Sequence, residues 1–340
     1  MVDNNQGAIE PGQEWTVDLF RPEDASGVAR LFLEVYGREY PIKTFIDPDL
    51  LIRENEAKRT ICSVARTAKG DIVGHNALFH SAVSDKTYES GSGVVHRDYR
   101  GGKGIFTKMV AHGQKVATDL IKADAIFGEP VCNHVFSQKM CHGLGWITFA
   151  FEVDLMPAVT YAKEKSATGR VSATQVFITL RRYRHTVYLP EVYKPFLEFI
   201  YSELDDERDL EVPHGDLPSV DTRIETRIFD FAQVARLPVI QVGRDFADAM
   251  ARLEKDLHAK GIQVIQVWLK LSEPYVHRAV EILREQGYFL GGVLPRWFGE
   301  DGLLMQKISV RPSWEGIVLE YDRDRTIMDY ARQDWQRTQK

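Results

Sequence analysis

The stretch "SGVVHRDYRGGKGIFTKMV", residues 92–110, decides the reading of this chain. An extended run leads to Arg100. Gly101, Gly102, Lys103 and Gly104 follow at once, and Ile105 opens an apolar pattern of helical period. The first N–H groups of a helix have no partner inside it, and the aligned peptide dipoles favour negative charge there. Glycines before such a terminus allow close approach and unusual backbone angles. A strand, a glycine loop and a helix start in this order make a cradle for phosphate or pyrophosphate, with Arg100 and Lys103 adding positive charge. A tight strand-to-helix turn is the plainer alternative. The loop fits neither GxxxxGK[ST], because Gly104 follows Lys103, nor GxGxxG.

The surrounding chain has 340 residues, enough for two domains with sizeable cores. Apolar residues at 44% and charged residues at 27% are ordinary globular composition. A net charge of -6 gives no broad electrostatic case for nucleic acid or an anionic membrane. Cys62, Cys132 and Cys141 are too few and too scattered for a disulfide framework, and no CxxC pair suggests zinc, so no metal is expected. The opening "MVDNNQGAIEPGQEW" lacks the basic and apolar regions of a signal peptide, and no 18-residue apolar run suggests a membrane span. The expected home is a reducing cytoplasm.

Periodicity gives an α/β order. "WTVDLF" (15–20) reads as a strand, with Asp24 as cap of a helix carrying Val28, Leu31, Phe32 and Val35. "ICSVARTA" (61–68) and "DIVGHNALFHSAV" (71–83) read as a hairpin, and "TYESGSGVV" (87–95) as the next strand. A helix over 105–122 buries Ile105, Phe106, Met109, Val110, Val116, Ala117, Leu120 and Ile121 on one face. A strand (123–131), a helix (134–144) and a strand (146–156) come next. Residues 158–171 read as a polar linker, 174–183 as a strand, 190–204 as a helix, and 205–221 as a charged, proline-rich surface break.

A weak repeat is present. "FGEPVCNHVFSQKMCHGLGW" (127–146) has a partner in "LSEPYVHRAVEILREQGYF" (271–289), each with Glu-Pro, a helical stretch, and Gly plus an aromatic. Upstream of the second copy, residues 239–269 repeat the strand–helix–strand order, but "VGRDF" has one glycine. Either two α/β units look alike because few patterns exist, or the chain is a tandem pair whose first half alone kept the loop.

"VVHRDYRGGKGIFTKMV" resembles the acyl-CoA-binding motif of the GNAT superfamily of N-acetyltransferases, and "NHVFSQKMCHGLGW" resembles its second motif. The element order from residue 15 to about 157 is similar as well. The resemblance implies an α/β (α+β) fold with a mixed, mostly antiparallel sheet flanked by helices, a domain over 15–170, and a degenerate GNAT-like half over 171–340. Two departures stand out. The glycine falls one residue late after Arg100, with Gly102 as an apparent insertion and Phe106 where a small residue is usual. Cys141 stands where the family often has a tyrosine that protonates the leaving thiolate.

The activity so implied is direct acyl transfer from acetyl-CoA, or another acyl-CoA, to a small-molecule amine. Gly93, Val94 and Val95 would hold the acyl and pantetheine parts. The backbone of Arg100, Gly101, Gly102, Lys103, Gly104, Ile105 and Phe106 would hold the pyrophosphate, and Asn133 and Ser137 would contact pantetheine. Glu89 is the first candidate for a general base, with His80, His75 and His96 as competitors; Cys141 is the candidate acid or simply a packed thiol. A non-catalytic acyl-CoA sensor, favoured by Cys141 and the altered loop, and a different phosphate-ligand enzyme remain as alternatives.

Overall fold

The computed structural model describes residues 9–37, 40, 42–102, 104–161, 169–204 and 208–339. The chain divides into two compact units, Met1–Gly128 and Glu129–Lys340. The boundary expected near 170 falls inside the second.

In the first unit, strands β1 (Trp15–Leu19), β2 (Thr60–Thr67), β3 (Ile72–Phe79), β4 (Thr87–Val95) and β5 (Ala125–Gly128) lie side by side in that order. All neighbours are antiparallel except β4 and β5, which run parallel and are joined by α3 (Ile105–Asp119). Side chains alternate between the two faces of a strand, so each face acquires its own helices. Cys62, Val64, Ile72, Ala77 and Val94 pack against Val28, Leu31 and Phe32 of α1 (Ala25–Tyr36) and Leu51 of α2 (Pro48–Glu56). Ala65 and Val73 pack against Ile105 and Met109 of α3.

Two local expectations change. Asp24 stands at the N-cap of α1 but its side chain makes no cap bond to that helix. Its buried carboxylate takes the Arg21 N–H at 2.7 Å and the Arg66 Nε–H at 2.7 Å, a charge-assisted pairing stronger than a neutral cap. Leu120 lies past the end of α3 and is exposed, because the chain turns there through Lys122 in the left-handed region.

The second unit holds α4 (Phe136–Gly143), β6 (Ile147–Met156), β7 (Val171–Thr179), β8 (His185–Tyr188), α5 (Lys194–Tyr201), β9 (Arg208–Glu211), β10 (Arg223–Ile224), β11 (Arg227–Phe229), β12 (Val234–Gln241), α6 (Phe246–Ala259), β13 (Val264–Lys270), α7 (Val276–Glu285), β14 (Phe289–Leu294), β15 (Gly302–Ile308) and α8 (Asp322–Arg337). Its main sheet runs β7-β6-β14-β15-β13-β12-β10, with β11 also on β12; β8 and β9 form a separate parallel pair. In the main sheet β12 and β13 are the parallel neighbours, joined by α6. The fold is therefore mixed α/β, with mostly antiparallel strands flanked by helices.

The break expected over 205–221 contains β9, and its Arg208 is buried against Asp301 with Nε to Oδ2 at 2.7 Å. Charge density alone suggested a surface, but a buried partner 93 residues away makes Arg208 interior. Of the linker expected at 158–171, residues 162–168 lie outside the described residues, Ala158–Tyr161 form a 3₁₀ turn, and Val171 already opens β7. Among the described residues, no helix is long and apolar enough to cross a membrane, and no cluster of His, Cys, Asp and Glu is arranged to hold a metal. All three cysteines are free and buried.

Candidate active site

The site is built on β4. Its pairing with β5 covers only Thr87–Ala125, Tyr88–Ile126 and Glu89–Phe127. β4 then runs on through Ser90–Val95 while β5 stops at Gly128. Two parallel strands that part company leave main-chain donors and acceptors on the longer one, and an extended polyamide can pair with such an edge. On the other side of β4, His75 pairs with Val94 and Ala77 with Gly91. β4 thus carries one residue more than β3 over this interval, a β-bulge, and Ser92 sits there at φ 51°.

A turn of 3₁₀-helix, Arg97–Tyr99, carries the chain off the strand, and the exposed Arg100 returns its Nε–H to the Val95 carbonyl at 2.9 Å. Gly101, Gly102 and Gly104 have φ of 82°, 90° and 68°. A Cβ at any of the three would meet nothing within 4 Å among the described residues, so conformation rather than crowding demands glycine. Gly104 is the N-cap of α3 and brings no side chain to the first N–H groups of that helix. Lys103 lies outside the described residues. At Gly93 crowding does decide: a Cβ would stand 2.2 Å from the Phe106 ring of the first turn of α3.

Glu89 closes the paired part of β4. Its carboxylate accepts the Ser81 hydroxyl at 2.6 Å and lies against Gly91, where a Cβ would be 3.0 Å away. Tyr40 bonds the Ser92 side chain, and burial, with the nearby charge of Glu89, holds its hydroxyl well above the usual range, so it remains a proton donor. Tyr40 and Ser92 lie together beside this candidate site and escaped the sequence reading. Tyr40 lies between helices with no periodic signal, and a bulge depends on the partner strand. The exposed His80 ring lies 4.2 Å from the Tyr88 ring, tilted by 42°, next to the β3 residue that pairs with Glu89.

His75 and His96 are not surface bases. His75 is fully buried, its Nδ1 is 3.0 Å from the Ser92 carbonyl, and burial pushes it down to about 4. His96 is 5% exposed with Nε2 3.3 Å from Glu34.

The remaining candidates are in the second unit. Cys141 is 4% exposed, and burial pushes its thiol up to about 12, which makes it a weak acid at neutral pH. The Ser137 hydroxyl is buried and has no hydrogen-bond partner among the described residues. Asn133 lies just before α4, half-buried.

No family model matches this chain, and no curated protein matches it in sequence. Solved structures of acetyltransferases resemble about half of it. Spermidine N-acetyltransferase from Vibrio cholerae aligns at 13% identity over 49% of this chain and 94% of its own, with a TM-score of 0.39. Ribosomal-protein-S5-alanine acetyltransferase from Vibrio fischeri aligns at 14% over 51% and 97%, TM-score 0.40. The protein yncA from Salmonella typhimurium, solved with its cofactor acetyl-CoA, aligns at 16% over 50% and 96%, TM-score 0.40.

Proposed function

We propose that the chain is an acyl-CoA-dependent N-acyltransferase that moves an acetyl group to an amine by direct transfer. The observation that carries this reading is the loop of left-handed glycines leading from a bulged, half-unpaired strand into an uncapped helix terminus. Donors in the first turn of α3, with the exposed Arg100, suit a pyrophosphate. The free stretch of β4 suits the amides of pantetheine. In the reaction the amine nitrogen bonds to the acyl carbon, the C–S bond breaks, and the thiolate of coenzyme A takes a proton. Glu89 removes the proton from the incoming ammonium, directly or through water. No metal enters this scheme.

The second half is read as a tandem copy that binds no coenzyme A. In its support, β12–α6–β13 repeats the parallel strand–helix–strand order of β4–α3–β5.

The test is a panel of amines, amino acids and aminoglycosides incubated with acetyl-CoA, with free thiol as the readout. Thiol release that depends on one acceptor class supports the enzyme. Acetyl-CoA binding with no release for any acceptor supports the second reading, a non-catalytic acyl-CoA-binding module, which the weakly acidic Cys141 favours. Absence of acetyl-CoA binding overturns both.

A further inference from the structure

Ser92 has no glycine's freedom, yet it sits at φ 51° in the bulge of β4. A non-glycine residue persists there only where its surroundings hold it. Its carbonyl points at the Nδ1 of His75, 3.0 Å away, on the neighbouring strand. A carbonyl can only accept, so Nδ1 carries the hydrogen and Nε2 is the acceptor. Nε2 faces Cys62 Sγ at 3.1 Å, and that fully buried thiol, pushed up to about 12 by burial, keeps the hydrogen it donates. Asn55 in turn gives an N–H to Cys62 Sγ at 3.5 Å and accepts the Cys62 N–H at 3.1 Å. Phe32 at 5.1 Å and Phe45 at 4.9 Å meet the imidazole edge-on and fix its plane. Every degree of freedom of this ring, including its tautomer, is set.

We infer that His75 is a positioning residue for the acyl group: from the buried side of β3 it holds the Ser92 bulge in the shape that the proposed reaction uses. The peptide between Ser92 and Gly93 is one rigid trans plane, so its C=O and N–H point in opposite directions. Drawing the Ser92 carbonyl into the His75 pocket turns the Gly93 N–H away from that pocket. Gly93 lies on the part of β4 that β5 leaves unpaired. His75 thereby aims a main-chain donor without touching a ligand itself. This rests on the reading of the site as an acyl-CoA site.

The experiment compares two ligands on three proteins by calorimetry. Acetyl-CoA reaches both the glycine loop and the bulge, whereas 3′-phosphoadenosine 5′-diphosphate reaches the loop alone. His75→Leu keeps an apolar ring-sized filling but removes the donor. It should weaken acetyl-CoA about tenfold, the worth of one lost hydrogen bond, and leave the nucleotide within about twofold. His75→Asn places an amide N–H where Nδ1 was and should recover acetyl-CoA affinity to within about threefold of wild type. If His75→Leu does not fold, His75→Gln, whose amide reaches toward Cys62 instead of Ser92, takes its place with the same expectation. Unchanged acetyl-CoA affinity in the donor-less variant overturns the inference, and so does an equal loss of both ligands, which marks a merely structural role. A wild-type protein that binds no acetyl-CoA fails earlier and overturns the functional reading itself.

Discussion

Two strand–loop–helix passages of this chain invite comparison, 92–106 and 239–246. Each leaves a strand that has a bulge on one side and a parallel neighbour on the other, and each enters a helix. In the first, the parallel pairing stops after three residue pairs and three glycines take left-handed angles where a Cβ would meet nothing within 4 Å among the described residues. In the second, β12 and β13 stay paired for five, from Val234–Val264 to Pro238–Trp268. The second loop is also filled by its own chain. Gly243 gives its N–H to Thr222 Oγ1 at 3.0 Å, Arg244 gives its N–H to the Val220 carbonyl at 3.2 Å, and Asp245 accepts the Thr222 N–H at 2.8 Å. A Cβ on Gly243 would stand 2.2 Å from the Val220 oxygen. The cavity left between the ends of β12 and β13 has a volume of about 10 Å³, room for one water at most. On the proposed reading, a loop entering a helix can take a ligand only where the chain withholds its own partners. Segment 218–222 supplies in the second passage what a phosphate would supply in the first.

The comparison predicts where substitutions act. Glu89 and Pro238 each stand at the last parallel pair of their strand, and only the first offers a carboxylate. Glu89→Gln should lower turnover by about 10²–10⁴-fold while acetyl-CoA affinity holds, and the loss should shrink toward high pH, where amines deprotonate unaided. A pH–rate profile from 6.5 to 9.5 checks this. A rate within about threefold of wild type throughout would leave Glu89 a strand residue and make His80 the next to test.

Acid should act on the first unit through His75. Its pKa of about 4 lies below the ordinary 6.5, so below pH 6.5 the unfolded chain binds a proton that the folded one refuses. This group's contribution is full above pH 6.5, declines as the pH falls toward 4, and is flat below that. The loss is at most about 3 kcal/mol, from the size of the shift. Urea unfolding at pH 7 and pH 4.5 for wild type and His75→Asn measures it; an equal decline in both proteins counts against it.

A smaller effect is expected of Gly243→Ala. It should destabilise the protein by about 1–3 kcal/mol through overpacking, with acetyl-CoA affinity unaltered, as melting and titration of one sample would reveal. Weakened binding in a folded Gly243→Ala protein would mean that the second loop takes part in the site.

Much of this was legible in the sequence, for identifiable reasons. Gly101, Gly102 and Gly104 announce a positive-φ turn because little else tolerates one, and the spacing of Ile105, Met109, Val110, Val116 and Ala117 announces α3. What was not legible depends on partners distant in sequence. The bulge at Ser92 exists through β3, and the buried role of His75 through both strands. Segment 218–222 looked like surface because nothing local says that it covers a loop 20 residues further on. The sequence left Cys141 as an acid or a packed thiol because it does not report burial, and the thiol is buried.

The central claim is that the first loop binds acyl-CoA and the second does not. Isothermal titration of acetyl-CoA into wild type, Gly104→Asp and Asp245→Gly tests it most directly. The account predicts one site per chain in wild type and in Asp245→Gly. In folded Gly104→Asp it predicts a loss of about a hundredfold, since a carboxylate then faces the phosphates at the helix terminus. Two sites per chain, no site, or a single site that survives Gly104→Asp unchanged would contradict it.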